Sequence, residues 1–352
     1  MSSIQVRPFR RSDRDQLTQL VNAHAGAVVP GMSVSVSTVL AGLERQPGEF
    51  IEDPWVAERV TLVAEQQDRV AAAAHLLRYL PDERAGVAAR DVGDISWLLY
   101  WPEAPAGNPY WPDAARAGRA LMAACLAQFG DWGVSRQHAG GELPVHGVYG
   151  VPEQWPHVRA LYTEAGFSHT GHTEIVYLAR VDDLPRPARA PLDGLSARRS
   201  VGINGCRLSA VLGPDVIGYI EVETFDEGER LARTAGWADV GNLHVTEPYR
   251  RRGIGSWLLG QAADWLALAR VDRLLNYAWL EGTDPGGLNY DDYRSFLPAV
   301  GFRELTRTQR GWTRPARSLP VQTQLPGSRR PGFQGGGSRP WKAGLAWRED
   351  GG

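Results

Sequence analysis

The chain contains 352 residues, which is enough for two domains that each bury a hydrophobic core. Its 38 basic and 40 acidic side chains nearly cancel, so charge predicts neither a nucleic acid nor a membrane surface as a partner. The two cysteines exclude a disulfide framework and no apolar run is long enough to cross a bilayer, so we expect a reduced, cytoplasmic protein.

The first half of the chain predicts a meander of three antiparallel strands followed by a helix. Apolar periodicity places the strands at 60–65, 70–77 and 94–100 and the helix at 114–129. A Pro-rich insertion at 103–113 lies between the last strand and the helix. Further on, the Pro-rich, charged segment 182–190 interrupts the periodicity, which is typical of a linker between domains.

The second half predicts the same order of elements. The three strands are expected at 206–212, 216–223 and 239–245. The helix that follows has an apolar stripe with helical spacing, formed by Leu259, Ala262, Ala263 and Leu266. A strand at 271–280 and a helix at 290–300 come next, and Gly301 is suited to end that helix in a left-handed cap.

Local resemblances between the halves indicate an internal repeat. Residues 94–100 resemble 239–245 in the order of acidic, apolar and polar residues, and 165–167 resemble 300–302. The chain is therefore predicted to be an α/β (α+β) protein in which one architecture occurs twice. We predict domains at 1–181 and 194–316, a linker at 182–193 and a disordered tail at 317–352, where Pro, Gly, Ser, Arg and Gln dominate.

The segment 250–256 is the candidate site for binding an anionic ligand. Gly253 and Gly255 allow a tight turn between a strand and an amphipathic helix, which leaves backbone amides pointing into one concavity. The helix adds its free N-terminal donors and the positive end of its dipole, and adjacent arginines add formal charge. Such a loop is suited to a pyrophosphate, whereas a Rossmann fingerprint would need a third glycine and a parallel βαβ unit.

This loop resembles the acetyl-CoA loop of the GNAT superfamily of N-acetyltransferases, whose pattern is Arg/Gln-x-x-Gly-x-Gly/Ala. Arg250, Gly253 and Gly255 occupy its fixed positions, the strand 243–249 precedes it, and 296–302 resembles the superfamily's later helix ending in Gly-Phe. The resemblance covers roughly 194–314. It implies two tandem GNAT-like domains, each a mixed, mostly antiparallel sheet flanked by helices. It also implies transfer of an acetyl group from acetyl-CoA to a primary amine, without a metal.

The resemblance also implies roles for individual residues. Contacts to the coenzyme are expected from Leu243, His244, Val245, Arg250, Arg251, Arg252, Gly253, Ile254, Gly255 and Ser256. Asp239 stands where the superfamily has a carboxylate general base, and a backbone N–H near Val245 would meet the oxyanion. Leu297 stands where many members have a proton-donating tyrosine, so Tyr293, one helical turn earlier, is the candidate substitute, with Tyr290 as an alternative. His244 is on the strand face opposite Asp239, which favours a structural role over a catalytic one.

The first half departs from the pattern in the opposite way. Asp94 matches Asp239, and Tyr162 matches the position of the proton donor. However, the segment 116–120 lacks the two glycines that close approach by a pyrophosphate would require. The first half is therefore predicted to be a degenerate copy with a structural or acceptor-shaping role, with a second active site as the alternative.

Two other functions remain open on the sequence. A non-catalytic acyl-CoA-binding or scaffold protein is compatible with Leu297 and with the degenerate first half. A nucleic-acid-associated protein rests only on the arginines at 250–252 and on the tail. The acceptor is equally open among a small amine, an antibiotic, a peptide N-terminus and a protein lysine, as is the oligomeric state.

Overall fold

The computed structural model describes residues 3–44, 56–85, 89–102, 113–145, 147–202, 205–224, 236–280 and 290–315. The predicted tail at 317–352 and residues 103–112 of the predicted insertion lie outside these ranges. Within the described ranges, no helix has both the length and the apolar character needed to span a bilayer.

The first half contains eight strands and four helices among its described residues. The strands are β1 (Gln5–Pro8), β2 (Val56–Gln66), β3 (Arg69–Tyr79), β4 (Val92–Tyr100), β5 (Arg136–Ala139), β6 (Val151–Pro152), β7 (Ser168–His169) and β8 (Thr173–Arg180). The helices are α1 (Arg14–Val28), α2 (Val36–Glu44), α3 (Ala114–Trp132) and α4 (Pro156–Glu164). The meander β2–β3–β4 and helix α3 follow the predicted pattern.

The second half repeats that meander, helix and strand. Its strands are β9 (Leu195–Val201), β10 (Gly205–Leu212), β11 (Asp215–Thr224), β12 (Trp237–Val245), β13 (Arg273–Trp279), β14 (Arg303–Gln309) and β15 (Trp312–Pro315). Its helices are α5 (Ile254–Leu268) and α6 (Tyr290–Ala299). Gly301 follows α6 with a φ of 97°, the left-handed conformation predicted for a glycine that ends a helix.

Each half forms a mixed sheet, and the two sheets exchange strands. The first sheet has the order β1-β2-β3-β4-β5-β15-β7, and the second has the order β6-β14-β8-β13-β12-β11-β10-β9. Strand β15 of the second half therefore completes the first sheet, whereas β6 and β8 of the first half lie in the second. Pairing is antiparallel except between β4 and β5 and between β12 and β13 in the described part of the chain.

The exchange of strands between the two sheets crosses the predicted domain boundary. Strand β8 belongs to the predicted domain 1–181, but it is hydrogen-bonded between β13 and β14 in the second sheet. The predicted linker 182–193 joins β8 to β9, which are both strands of that sheet. Arg186 in this segment forms an ion pair with Asp264 of α5 at 2.9 Å, so the connection lies against the second half.

The repeat extends to the register of the strands. In β4, Ser96 has no opposite residue in β3, because Trp97 pairs with His75 and Ile95 with Leu76. In β12, Gly241 has no opposite residue in β11, because Asn242 pairs with Glu221 and Val240 with Val222. Each half thus has a β-bulge at the same place, and the acidic residue two positions before it is Asp94 in one half and Asp239 in the other.

The helices pack through the residues that periodicity selects. Leu259, Ala262, Ala263 and Leu266 are at most 1% exposed and form part of the second core. Full burial of a leucine side chain stabilises a fold by roughly 1.5–3 kcal/mol, so this stripe is sufficient to hold α5 on the sheet. The opposite face of the second sheet joins the first half, because Trp237 and Leu275 belong to the first core.

Candidate functional site

The loop after β12 places a helix N-terminus at the end of the strand. A short turn, Glu247–Tyr249, leads to residues 250–253, and α5 begins at Ile254. Arg251 and Gly253 have positive φ angles of 60° and 79°. The first bond of the helix runs from the Trp257 N–H to the Gly253 carbonyl at 3.0 Å, so the amides of the three preceding residues lack an acceptor within the helix.

The two glycines of this loop have different structural roles. Gly253 is the N-cap of α5, it adds no side-chain cap, and its φ of 79° favours glycine. A Cβ at Gly255 would lie 3.5 Å from the Phe296 ring, which is an ordinary contact. The backbone therefore requires a glycine at 253, whereas packing does not require one at 255.

The arginines surround the loop without filling it. Arg250 donates through Nε to the carbonyl oxygen of Val245 at 2.9 Å, which ties the loop to the end of β12. Arg251 and Arg252 are exposed, and the Arg252 guanidinium lies 6.0 Å from the centre of the Tyr249 ring. A helix N-terminus whose first amides lack an acceptor within the helix, next to exposed guanidinium groups, is suited to a polyanion.

A gap opens between β12 and β13 beside this loop. Their parallel pairing joins 237–239 to 273–275 and ends there, whereas β12 runs on to Val245 and β13 to Trp279. Beyond the pairing, β12 is bonded to β11 and β13 to β8, on their outer sides. The predicted contact residues Leu243, His244 and Val245 line this part of β12 and are partly exposed. His244 also packs on Tyr219, with ring centres 5.7 Å apart.

Asp239 stands where the pairing ends, and two tyrosines hold it. Its side chain is 7% exposed, and its Oδ2 accepts hydrogen bonds from Tyr277 at 3.0 Å and Tyr149 at 3.4 Å. Burial, and next the charge of Asp239, raises the pKa of both tyrosines well above the usual value. Both hydroxyls therefore stay protonated and donate to the carboxylate.

The face around Asp239 is shared by both halves. Trp237 packs into the first core, whereas Ala238 and Val240 pack into the second, so strand alternation turns Asp239 toward the first half. Arg310 lies on the same side and bridges Glu142 of the first half and Glu174 of β8, at 3.6 and 3.4 Å. Burial raises the pKa of Glu174, while the charge of Arg310 opposes the shift.

Tyr293 lies on the other face of the sheet. Its hydroxyl pairs with the side-chain amide of Asn276 at 2.8 Å, and its ring stacks on Phe296. Asn276 and Tyr277 are adjacent in β13 and so point to opposite faces. The described contacts therefore join Asp239 to Tyr149 and Tyr277, and Tyr293 to Asn276. Leu297, at the position of the usual tyrosine, is 1% exposed.

Four residues of the site were not predicted from the sequence, namely Tyr149, Tyr277, Glu174 and Arg310. The position of Tyr277 could have been predicted, because it lies two residues after Leu275 in a strand and therefore on the same face of the sheet as Leu275. Tyr149 is 90 residues from Asp239, and no local pattern connects the two.

The matching helix N-terminus of the first half is different. Asp113 caps α3 by accepting a hydrogen bond from the Arg116 N–H at 3.3 Å. The cap occupies one of the free donors and places a negative charge where an anion would sit. This part of the first half is therefore poorly suited to a phosphate.

The first half has no gap at the position that corresponds to the one between β12 and β13, within the described residues. The Gly140 N–H bonds to Ile95 at 2.8 Å and the Glu142 N–H bonds to Ser96 at 2.9 Å, so the chain after β5 stays paired with β4. Tyr162 is fully buried and donates to the Gly140 carbonyl at 2.7 Å. Burial, and next the charge of Glu142, raises the pKa of Asp94 to about 7.

Comparisons with known proteins agree with this architecture. Residues 176–284 match the acetyltransferase (GNAT) family. A search of curated protein sequences finds no significant match to the chain.

Solved structures show the same fold over most of the chain. A tandem GNAT protein from the clavulanic acid biosynthesis pathway has a TM-score of 0.60 at 17% identity, over 90% of this chain and 100% of that protein. A GCN5-related N-acetyltransferase from Sphaerobacter thermophilus has a TM-score of 0.55 at 14% identity, over 90% and 98%.

A fungal multi-domain GH3 β-N-acetylglucosaminidase with a GCN5-related glucosamine N-acetyltransferase region has a TM-score of 0.58 at 16% identity. It aligns with 89% of this chain but only 38% of its own length, so the chain spans well under half of that protein. These likenesses confirm the predicted fold of tandem GNAT-like units.

Proposed function

We propose, on the premise that residues 176–284 form a GNAT-family domain, that the second half transfers an acetyl group from acetyl-CoA to a primary amine. The observation that carries the proposal is the helix N-terminus at Gly253, without a side-chain cap, beside a gap between strands that ends at Asp239. An anion site and a buried carboxylate thus meet at one opening in the sheet.

The diphosphate of the coenzyme binds at the loop. The free amides of the first turn of α5 donate to its oxygens, and Arg251 and Arg252 add positive charge. Arg250 acts mainly on the loop itself, because its Nε is bonded to Val245. The acyl arm then follows Leu243, His244 and Val245 into the gap between β12 and β13.

Acetyl transfer needs a neutral amine and therefore a proton acceptor. The amine nitrogen attacks the thioester carbonyl carbon, and the carbon–sulfur bond breaks as the amide forms. Asp239 takes the proton that the nitrogen loses, directly or through a water molecule.

The leaving thiolate takes up a proton on the other side of the sheet. Tyr293 is the residue that we propose for this step, and Asn276 orients its hydroxyl from β13. Asp239 and Tyr293 then act on opposite faces, so the acceptor amine approaches from the first half and the coenzyme from the side of α5 and α6.

The first half acts as a degenerate copy that shapes the acceptor side. The cap formed by Asp113 and the continued pairing of the chain after β5 with β4 both oppose coenzyme binding there. Its loop 140–150 contributes Tyr149 and Glu142 to the face around Asp239.

Two measurements on the full chain test this function. Calorimetry with acetyl-CoA should show saturable binding, and release of free thiol should depend on an added amine from a panel of a polyamine, an aminoglycoside, an amino acid and a peptide. Gly253→Pro is the matched inactive control, because proline cannot adopt a φ of 79°. Binding without amine-dependent release would identify a non-catalytic acyl-CoA-binding protein. No binding at millimolar acetyl-CoA would contradict the proposal.

A further inference from the structure

Tyr149 crosses from the first half to the proposed general base of the second. Its hydroxyl donates to Asp239 Oδ2 at 3.4 Å, and Tyr277 donates to the same oxygen at 3.0 Å. The two tyrosine rings meet edge to face with centres 5.3 Å apart. One carboxylate oxygen is thus held by a hydroxyl from each half of the chain.

The residues on both sides of Tyr149 are closely packed. Val148 is fully buried on one side. On the other side Gly150 has a φ of 120°, and a Cβ there would lie 2.8 Å from Arg310 Cγ and 2.9 Å from the Gln309 carbonyl oxygen. Tyr149 therefore lies between two neighbours that pack directly against the rest of the structure.

Strand β6 attaches this segment to the second sheet. It begins directly after Gly150, and its two residues, Val151 and Pro152, pair with Gln309 and Thr308 of β14. Because β14 belongs to the sheet that also carries Asp239, the ladder sets the position of the Tyr149 hydroxyl relative to the carboxylate.

We propose that Tyr149 is a positioning residue for Asp239, so that the two halves share one composite active site. This inference rests on the proposed function of Asp239 as general base. A hydroxyl donor fixes the orientation of a carboxylate. Two donors on Oδ2 therefore hold the Asp239 carboxylate in one orientation.

Tyr162 provides the matched comparison within the same half. It is also a buried tyrosine, but its hydroxyl donates to the backbone carbonyl of Gly140 and has no described contact with Asp239. Tyr162→Phe therefore removes a buried hydroxyl from the first half without touching the carboxylate. Tyr277→Phe removes the other donor to Asp239 Oδ2.

The experiment compares these three variants with the wild-type full chain by two readouts. The first is kcat and KM for thiol release from acetyl-CoA with the best amine of the panel. The second is the carbon-13 chemical shift of the Asp239 carboxyl resonance at pH 7, assigned by its loss in Asp239→Asn.

In Tyr149→Phe, kcat should fall about fivefold, because a hydrogen bond contributes roughly 1 kcal/mol and the carboxylate loses one of the two donors that orient it. KM for acetyl-CoA should stay within about twofold of wild type, since the coenzyme loop is elsewhere. The chemical shift of the carboxyl resonance should differ from that of wild type in Tyr149→Phe and Tyr277→Phe, and should equal it in Tyr162→Phe.

The inference is overturned if Tyr149→Phe keeps the wild-type kcat and carboxyl resonance, or if Tyr162→Phe changes them equally. If the wild-type chain acetylates no amine of the panel, the proposed function fails by itself. The carboxyl resonance then decides alone whether Tyr149 acts on Asp239.

Discussion

Asp94 and Asp239 occupy equivalent positions in the two halves, but their surroundings have diverged. Each lies two residues before the bulge of its strand and pairs with the parallel strand, Asp94 with His138 and Asp239 with Leu275. In the first half, pairing between β4 and the chain of β5 continues past Asp94, whereas in the second half the pairing between β12 and β13 ends at Asp239. Two tyrosine hydroxyls bind Asp239, whereas burial and the charge of Glu142 raise the pKa of Asp94 to about 7.

This divergence predicts that only one of the two acids is needed for turnover. Asp239→Asn should lower kcat by about 10²–10⁴-fold, the usual contribution of a general base, and leave acetyl-CoA affinity unchanged. The measurement is amine-dependent thiol release together with calorimetry. Asp94→Asn is the matched control and should keep kcat within a few-fold of wild type. Equal losses in the two variants would show that Asp239 has no special role.

The loop predicts a difference between its two glycines. Gly253→Ala forces a side chain into a conformation with φ of 79°, so it should destabilise the fold by about 1 kcal/mol and weaken acetyl-CoA binding at least about tenfold. Gly255→Ala introduces only an ordinary contact with Phe296 and should bind within a few-fold of wild type. Calorimetry and urea unfolding measure both effects. The same affinity in both variants would argue against the loop geometry as the cause of binding.

The helix caps predict one coenzyme site per chain. Asp113 occupies the N-terminus of α3, whereas Gly253 leaves that of α5 without a side-chain cap. Acetyl-CoA should therefore titrate with a stoichiometry of about one, since only one helix N-terminus accepts the diphosphate. Gly253→Pro should abolish all of the binding heat. Residual saturable heat in that variant would reveal a second site in the first half.

The buried histidines predict a loss of stability in acid. Burial lowers the pKa of His24 to about 4 and of His75 to about 3. Below pH 6.5 the unfolded chain binds these protons and the folded chain does not, so unfolding becomes easier as pH falls toward 4. Urea unfolding at pH 7 and pH 4.5 should show a loss of about 2 kcal/mol for each histidine.

A histidine variant isolates this effect from other titrating groups, among them Asp94, whose raised pKa acts in the opposite direction. His24→Gln should reduce the loss between the two pH values, whatever its stability at pH 7. His172, which is exposed and stacks on Trp279, is the matched site, and His172→Gln should leave the loss unchanged. An undiminished loss in His24→Gln would contradict the assignment.

Much of the local structure could be predicted from the sequence because its causes are local. Strand alternation and the 3.6-residue period place apolar residues such as Leu259 and Leu266 in a core wherever that core lies. Gly253 and Gly301 mark left-handed positions because other residues are strained there. The repeat followed from the same patterns, and the loop resemblance pointed to the family whose model matches residues 176–284.

The way in which the two halves combine follows from packing over the whole chain. Strand exchange places β15 in the first sheet and β8 in the second, which no periodicity within either half specifies. It also places the Tyr149 hydroxyl in contact with Asp239, which is 90 residues away in the sequence. Asp239 and Tyr293 lie on opposite faces of the second sheet, because they contact the adjacent residues Tyr277 and Asn276 of β13. Patterns in a sequence report which face of an element is apolar, but the partner of that face is chosen by packing over the whole chain.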